Sequence, residues 1–332
     1  MRRSYIQDMA SRTAMKIVTI GGAGFIGHQL SKDLSEQGHT VVAIDNHSDY
    51  GLLDRNELAW LLPARLARMP LVNHINADVN DRAKIKQLLS DIQPDWIVYL
   101  AAFPRAKAVD DNLVLAAETM ITSLVAVAEQ AKAMKAKFLF ISSSMVYGEW
   151  PSYEIDETHV PDPMGMYGIL KYAGEQVLKQ MLPAEDLLTT RLTGVYGPWD
   201  ATDRVVSKMF KAALRGDPII VNGVHMMLDL TYITDTVSAL VNGINQRAHG
   251  LYNISSGTGT TLFELACDIH RLTNSESEIV TAAQDPRYKQ RGALNHSKAA
   301  RDLGYDPQTD LESGINNYLM WLREYNLVKT SR

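Results

Sequence analysis

The sequence predicts an α/β fold built on a doubly wound parallel sheet, with a smaller region at the carboxyl end. Three observations predict it. Short β-branched runs alternate with helical stretches from Met15 onward, a glycine-rich turn joins the first run to the first helix, and the rhythm changes after Pro198. The alternation is typical of right-handed βαβ units, whose strands are parallel. The 332 residues suffice for one large α/β unit with a smaller companion.

The elements of the first part follow in order along the chain. Apolar, β-branched runs predict strands at 16–20, 40–45, 73–76, 95–100, 137–143 and 187–197. Helical stretches between them cover 25–38, 81–92 and 166–182, and a helix-like insert follows the second strand. Strand, helix and parallel strand repeated in this way predict a Rossmann-type sheet.

After Pro198 the connections become longer and more polar and the elements shorter. Strands are predicted at 218–223, 228–233 and 250–256, and a helix at 261–272. We expect a first domain over 15–190 and a smaller region over 191–328, packed as one body because no flexible Gly/Ser linker separates them. Residues 1–14 precede the first strand and are predicted to be a tail outside the fold.

Composition and charge exclude several functional classes. Lys and Arg number 33 against 38 Asp and Glu, a net charge of −5, so the chain lacks the basic surface of a nucleic-acid or anionic-membrane binder. Its apolar runs fall short of the ~18 residues of a membrane span. Cys267 is the only cysteine, which excludes disulfides and cysteine-rich metal sites within the chain and suits a reducing cytoplasm. A small-molecule ligand is therefore expected, with no metal, nucleic acid or membrane as partner.

The glycine-rich turn has the spacing of a phosphate-binding loop. Gly21 permits a tight turn, Gly24 lets a diphosphate approach the backbone, and Gly27 allows the helix to pack closely on the strand. The N-terminus of the following helix, which begins at Phe25 and Ile26, adds free N–H groups and partial positive charge. Alone, the pattern also fits an ordinary structural turn. Its position between a strand and a helix favours a dinucleotide site.

An acidic residue at the end of the second strand indicates which dinucleotide is bound. Asp45 lies 18 residues after Gly27. A carboxylate there suits the two ribose hydroxyls of NAD and repels the 2′-phosphate of NADP, so NAD is the predicted cofactor. Asp78, after the third strand, is either the next polar group at the adenine end or the N-cap of the following helix, and the sequence leaves both roles open.

A tyrosine and a lysine four residues apart form the candidate catalytic pair. On a helix Tyr167 and Lys171 share a face, and the ammonium favours the phenolate of a tyrosine whose unperturbed pKa is about 10. By itself this spacing is more typical of an exposed helix pair. Ser143, however, ends a predicted strand 24 residues earlier, and the carboxyl ends of parallel strands gather beside the cofactor. We therefore expect Ser143 to hydrogen-bond the substrate oxygen that Tyr167 deprotonates.

These motifs together resemble one known family. The resemblance is carried by GGAGFIG at 21–27, Asp45 with Asn46, LAA at 100–102, SSSMVYG at 142–148, Tyr167 with Lys171, and Arg191 followed by VYGP at 195–198. From about residue 15 to about residue 325 the chain is similar to the extended short-chain dehydrogenases/reductases, in their nucleotide-sugar epimerase and dehydratase branch.

The resemblance implies a set of site residues around NAD and a nucleotide sugar. It assigns residues 15–190 to NAD binding and residues 191–328 mainly to the substrate. The cofactor-binding residues predicted from the motifs and the resemblance are Gly21, Gly24, Phe25, Ile26, Gly27, Asp45, Asn46, Asp78, Val79, Leu100, Ala101, Ala102, Tyr167 and Lys171. The implied catalytic residues are Ser143, Tyr167 and Lys171, and the implied substrate-binding residues are Ser144, Met145, Arg204 and Arg291.

One position of the serine motif bears on the reaction. Just before the valine, the family's dehydratases and UDP-glucuronate decarboxylase carry a glutamate, which in dehydratases is the acid/base for the carbon next to the ketone. Here that position is Met145, whose thioether cannot move a proton. The remaining set of Ser143, Tyr167, Lys171 and NAD is the one that the family's 4-epimerases use.

The resemblance therefore implies an NAD-dependent 4-epimerase of a nucleotide sugar, with a UDP-sugar expected. Strings at 45–51, 196–200 and 228–235 are similar to UDP-glucuronate 4-epimerases in particular, whereas Leu228, Gly194 and Thr119 depart from the family's usual pattern. Two alternatives stay open. One is a 4-ketoreductase or C4 oxidase of an activated sugar, which would exchange NAD(H), and the other is a non-catalytic NAD-binding sensor. In this family, helices at 113–134 and 166–182 would pair with their copies, so a homodimer is expected.

Overall fold

A computed structural model describes residues 13–48, 55–103, 105–200, 204–284, 290–325 and 327. The predicted tail at 1–14 lies outside the described residues except for its last two positions. The strands are β1 (Lys16–Ile20), β2 (Thr40–Asp45), β3 (Asn73–Asn76), β4 (Trp96–Tyr99), β5 (Lys137–Ser143), β6 (Glu154–Ile155), β7 (Leu187–Leu192), β8 (Gly194–Tyr196), β9 (Ile219–Asn222), β10 (Met227–Tyr232), β11 (Gly250–Ile254), β12 (Gly259–Thr261), β13 (Ile279–Ala282) and β14 (Ala293–Leu294).

The helices lie between these strands and after them. They are α1 (Phe25–Glu36), α2 (Arg55–Ala67), α3 (Arg82–Ile92), α4 (Ala106–Asp111), α5 (Leu113–Ala117), α6 (Ser123–Met134), α7 (Gly165–Met181), α8 (Val205–Arg215), α9 (Ile233–Asn245), α10 (Leu262–Thr273), α11 (Ser297–Leu303) and α12 (Leu311–Glu324). A π-helical turn at Glu118–Thr122 joins α5 to α6, and short 3₁₀ turns cover Ser144–Tyr147 and Ala184–Asp186.

The large sheet has seven strands, all parallel, in the order β11-β7-β5-β4-β1-β2-β3. The chain moves outward from β1 in one direction through β2 and β3, then returns to β4 and moves the other way. The carboxyl ends of β1 and β4 therefore bound the crevice where ligands bind in doubly wound sheets. The predicted fold class, a Rossmann-type parallel sheet with flanking helices, is confirmed.

Two departures from the predicted elements have physical reasons. The single strand predicted at 187–197 is wrong, because the chain breaks at Thr193: β7 stays in the large sheet, while β8 pairs with β10 in a three-stranded sheet. The strand at Gly250–Ile254 does not stay with the smaller elements around it. It pairs in parallel with β7 and becomes the edge of the large sheet.

The sheet is buried on both faces, as its continuous apolar strands require. Ile17 of β1 and Leu139 of β5 pack into one core cluster, whereas their neighbours Val18 and Phe138 pack into the other. Successive side chains of a strand point to opposite faces, so each strand contributes to both cores.

The helical segment Leu113–Met134 is the one stretch of the described chain long and apolar enough to cross a membrane by length and composition alone. Its second half has a buried face that includes Leu124, Val127 and Ala131, and these side chains join the core cluster against the large sheet. This packing is that of a core helix.

The N-cap of α3 settles one alternative that the sequence left open. Asp81 caps the helix, because its side chain accepts a hydrogen bond from the main-chain N–H of Lys84 at 3.1 Å. The alternative role of Asp78 as this N-cap is therefore wrong. Asp78 instead accepts a hydrogen bond from Asn46 Nδ2 at 3.0 Å, at the carboxyl end of β2.

Candidate active site

A cleft of about 280 Å³ lies at the carboxyl ends of β1, β2, β4 and β5, where the strand order reverses. It is lined by the glycine turn, by the polar residues after β2 and by α7, and on its far side by the chain after β8. The predicted site residues that line it are Gly21, Gly24, Phe25, Ile26, Gly27, Asp45, Asn46, Val79, Leu100, Ala101, Ala102, Ser143, Tyr167, Lys171 and Arg204. Residues that lie far apart in the sequence thus share one cleft.

The glycine turn is shaped for a close backbone approach. Gly21 has φ of 87°, a conformation that side chains disfavour, and a Cβ on it would lie 2.9 Å from the main-chain nitrogen of Ala101. A Cβ on Gly27 would overlap the main-chain oxygen of Gly21. Gly24 is the N-cap of α1 and supplies no side chain to its first N–H groups. The free N–H groups of the first turn of α1 lie at the cleft and suit a phosphate.

Asp45 lies where β2 ends and is fixed by the turn beside it. Its carboxylate accepts hydrogen bonds from the main-chain N–H of Ala23 at 3.0 Å and of His47 at 2.7 Å. A carboxylate has about four acceptor positions, so two remain for hydroxyl donors. The arrangement fits the ribose diol of NAD and gives no donor to a 2′-phosphate.

The three predicted catalytic residues come from two adjacent elements. Ser143 is the last residue of β5, while Tyr167 and Lys171 lie one turn apart on α7. Lys171 is buried, and its Nζ donates a hydrogen bond to the main-chain oxygen of Ile141 at 2.7 Å. The same Nζ lies 5.8 Å from the centroid of the Tyr167 ring.

Burial acts on the pKa of both helix residues. Burial raises the pKa of Tyr167. The positive charge of Arg204 and a hydrogen bond with Ser143 both lower it, but by less. Burial lowers the pKa of Lys171 to about 8, against the negative charge of Glu175, which raises it. Arg204 is therefore a second cation that acts on Tyr167, in addition to Lys171 on the same helix. The positive charge of oxidised NAD would add to this effect, since it belongs in the same cleft.

A buried polar network behind the catalytic residues was missed by the sequence analysis. Glu175, one turn beyond Lys171 on α7, accepts hydrogen bonds from Ser142 and from Nε and Nη2 of Arg191, the latter two at 2.9 and 2.6 Å. The guanidinium of Arg191 also lies 4.5 Å from the centroid of the Tyr147 ring. The signal in the sequence is the Lys171-x-x-x-Glu175 spacing, which puts both residues on one helix face.

Of the four predicted substrate-binding residues, Arg204 alone lines the cleft. Its Nε pairs with Asp200 at 3.0 Å, and a third of its side chain is exposed. Ser144 is buried in the 3₁₀ turn after β5. Met145 is partly buried in the same turn, and its main-chain N–H donates to Ser143 Oγ at 3.1 Å. Arg291 lies just before β14, and among the described residues it is not part of the cleft lining.

The described residues show no group of three or more His, Cys, Asp or Glu side chains able to hold a metal ion. What the cleft offers is a phosphate-binding turn, a carboxylate for a ribose, and a tyrosine with two cations near it. Together with the sheet, these features define a dinucleotide-dependent enzyme.

The comparison with known proteins agrees with this class. The model of the NAD dependent epimerase/dehydratase family matches residues 17–255, so the chain belongs to that family. UDP-glucuronate 4-epimerase 3 of Arabidopsis thaliana is 26% identical over 96% of this chain and 78% of its own length. UDP-N-acetyl-alpha-D-glucosaminuronate decarboxylase of Bacillus cytotoxicus is 27% identical over 92% of this chain and 96% of its own.

Among solved structures, a UDP-glucuronic acid 4-epimerase from Bacillus cereus, in complex with UDP-glucuronic acid and NAD, is similar with a TM-score of 0.84 and 25% identity. The match covers 94% of this chain and 100% of that one. The predictions of the family, of an NAD-dependent enzyme of the epimerase class and of NAD as cofactor are confirmed.

Proposed function

We propose that this protein is a 4-epimerase of a nucleotide sugar, and that it acts by transient oxidation at C4 of the sugar. One observation carries the proposal: Ser143, Tyr167 and Lys171 lie in the same cleft as the phosphate-binding turn. In addition, the residue just before the valine of the serine motif is Met145, where the family's dehydratases have an acid. With NAD bound as the hydride acceptor, the set is sufficient to take one proton from a secondary alcohol and to return it. Inverting a single carbon needs no further acid or base.

In this mechanism the protein moves one proton. Tyr167 accepts the proton of the 4-hydroxyl, while Ser143 hydrogen-bonds the same oxygen and holds it in reach of the phenolate. Bound NAD supplies the hydride acceptor at C4 and later the hydride donor. The positive charge of Arg204 lowers the pKa of Tyr167, which burial raises, and a protonated Lys171, 5.8 Å from the ring, would favour the phenolate as well. The 4-keto sugar would turn in the cleft, and Tyr167 would return the proton to the oxygen at C4, which would then have the opposite configuration.

Met145 separates this reaction from elimination but not from decarboxylation. Elimination of water across C5 and C6 needs a proton acceptor at C5, and a thioether cannot serve. Helix α7 packs closely on the main chain at this position, because a Cβ on Gly168 would lie 2.7 Å from the main-chain oxygen of Met145. The Bacillus cytotoxicus relative is named as a decarboxylase. A 4-keto uronate can lose carbon dioxide, so that outcome must be separated by measurement.

We propose a UDP-sugar as the substrate, with residues 191–328 contributing most of its site. The support is the substrate of the Bacillus cereus structure and the position of Arg204, which lines the same cleft as Tyr167 and acts on its pKa. Arg204 would contact the sugar or its diphosphate. Ser144, Met145 and Arg291 stay predictions from the resemblance.

We also propose a homodimer in the cytoplasm. Four apolar side chains of α5 and α7 are exposed, and Val114 is 85% exposed. The others are Leu113, Leu115 and Ile169. A second copy of the same helices would cover them and form a four-helix interface.

The test is to incubate the purified protein with a panel of UDP-, GDP-, CDP- and dTDP-sugars and no added cofactor, and to identify products by NMR and mass spectrometry. An epimer of unchanged mass supports the proposal, and the Tyr167→Phe variant serves as control. Loss of water or of carbon dioxide from the product would contradict it. Consumption of added NAD or NADH in step with product would identify the alternative oxidase or ketoreductase, and nucleotide binding without any product would identify the sensor.

A further inference from the structure

Arg65 is a partly buried cation in the cleft to which neither the motifs nor the family resemblance gave a role. It lies in the last turn of α2 and lines the cleft between the glycine turn and the chain after β8. Its Nη1 donates to the main-chain oxygen of Ala23 at 3.4 Å, and its Nε donates to that of Trp199 at 3.0 Å. The side chain thus bridges the phosphate-binding turn and the opposite wall.

The charge of Arg65 has no close partner in the described part of the chain. Its hydrogen bonds go to main-chain carbonyls, and among the described residues no carboxylate lies within ion-pair distance of it. Asp200 and Asp45 act on it from a greater distance, and burial lowers its pKa to about 10. A partly buried cation whose nearest carboxylates lie beyond ion-pair distance favours an anionic ligand in the cleft beside it.

The donor geometry indicates which anion. A guanidinium carries five N–H groups, and the bonds to Ala23 and Trp199 use one on each of the three nitrogens, the third from Nη2 to Trp199. One N–H on Nη1 and one on Nη2 remain. Nη1 is the nitrogen bonded to Ala23, which lies inside the glycine turn, so its remaining N–H lies beside the turn that the diphosphate of a bound dinucleotide would contact.

We propose that Arg65 binds the diphosphate of the dinucleotide cofactor, opposite the N–H groups of the glycine turn and of α1. The assignment rests on the use of NAD and not on the identity of the sugar, so it stands or falls separately from the 4-epimerase proposal. A helix N-terminus supplies only partial charge to two phosphates. Arg65 would supply a full positive charge. Because it also donates to the main-chain oxygen of Trp199, it would connect the bound cofactor to the opposite wall of the cleft.

The test is nucleotide binding by calorimetry, using the full-length protein freed of bound nucleotide and two matched variants, Arg65→Gln and Arg68→Gln. Arg68 lies on the same helix, donates to Gln29 at 2.9 Å, and packs 4.8 Å over the Trp199 ring, but it does not line the cleft. We expect Arg65→Gln to weaken binding of ADP-ribose and ADP by about 10- to 100-fold, the range of one or two lost charge-assisted bonds. Binding of adenosine should change little, and Arg68→Gln should leave all three ligands within about threefold of the parent.

A UDP titration separates the cofactor from the sugar nucleotide as the source of the diphosphate. If Arg65→Gln weakens UDP and spares ADP, the guanidinium belongs to the substrate and the proposal is wrong. An unchanged ratio of ADP to adenosine affinity in Arg65→Gln would also overturn it. Arg65→Lys keeps the charge but loses the planar pair of N–H donors, so its affinity for ADP should lie between those of the parent and of Arg65→Gln. Circular dichroism would check that each variant is folded.

Discussion

Replacing Glu175 with glutamine should move the alkaline limit of turnover to lower pH. The pKa of Lys171 is about 8 because burial lowers it and the charge of Glu175 opposes that effect. The variant removes the opposing charge, so the pKa of Lys171 must fall further. Loss of one nearby opposite charge lowers the pKa of a buried lysine by about one unit or more. At pH 8 the protonated fraction of Lys171 would then drop from about one half to about one tenth.

The sign of the effect follows from the role of Lys171. Its protonated form favours the phenolate of Tyr167, so turnover falls as pH rises through the pKa of the ammonium, and a lower pKa brings that fall to lower pH. Around Lys171 lie Tyr167 and Glu175 on its own helix, the ring of Phe140 on β5, and Arg191 on β7, which acts through Glu175. Removing one partner of the buried Glu175 and Arg191 pair also costs about 3–5 kcal/mol of folding free energy.

The assay is the pH dependence of kcat from pH 6 to 10 for the parent, Glu175→Gln and Ser142→Ala, each shown to be folded at every pH by circular dichroism. Ser142→Ala removes a hydrogen bond to the same carboxylate but keeps its charge, so its alkaline limit should stay with that of the parent. A purely structural role would lower kcat equally at all pH values. An alkaline limit that does not move in Glu175→Gln refutes the electrostatic reasoning.

Three further outcomes are expected. Tyr167→Phe should reduce turnover by about 10²–10⁴, the usual contribution of a positioned acid/base, with little change in NAD affinity by calorimetry; retention of more than a tenth of the activity would contradict its role. Asp45→Ala loses the carboxylate that suits an unphosphorylated ribose, so the preference of the parent for NAD over NADP should shrink in calorimetry. Comparable binding of NAD and NADP by the parent would contradict the role of Asp45. Val114→Glu should convert the proposed dimer to a monomer, because it would bury an unpaired charge at the interface. Light scattering at micromolar concentration measures this, and a parent that is already monomeric would disprove the interface.

The sequence predicted the large sheet and the cleft well because both depend on local signals. Apolar runs of β-branched residues, glycine spacing and the end of β2 at Asp45 are visible within short windows, and the register of the sheet then brings them together. The break at Thr193 could not be predicted in this way, since an apolar strand that changes sheets has the same local pattern as one that does not.

The roles of two charged residues in the interior and the cleft were harder to predict for a different reason. Arg65 and Glu175 each depend on partners far away in the sequence, Trp199 for the first and Arg191 for the second. The same applies to the cation beside Tyr167. Helical spacing pointed to Lys171, but the fold brings Arg204 to the phenol from the other wall of the cleft. Local spacing predicts which residues share a face, and it does not predict which charges the tertiary fold adds.

The last strand of the large sheet has a consequence for how the chain folds during synthesis. Until Ile254 has left the ribosome, β7 is an edge whose N–H and C=O groups lack their final partner strand. At 5–20 residues per second, the interval between the appearance of Leu192 and that of Ile254 is about 3–12 s. During that time an apolar parallel sheet presents an open edge, the type of surface that pairs with other chains and recruits chaperones. A fragment ending near residue 190 would keep that edge permanently and should aggregate, because it lacks the later strand that covers the edge.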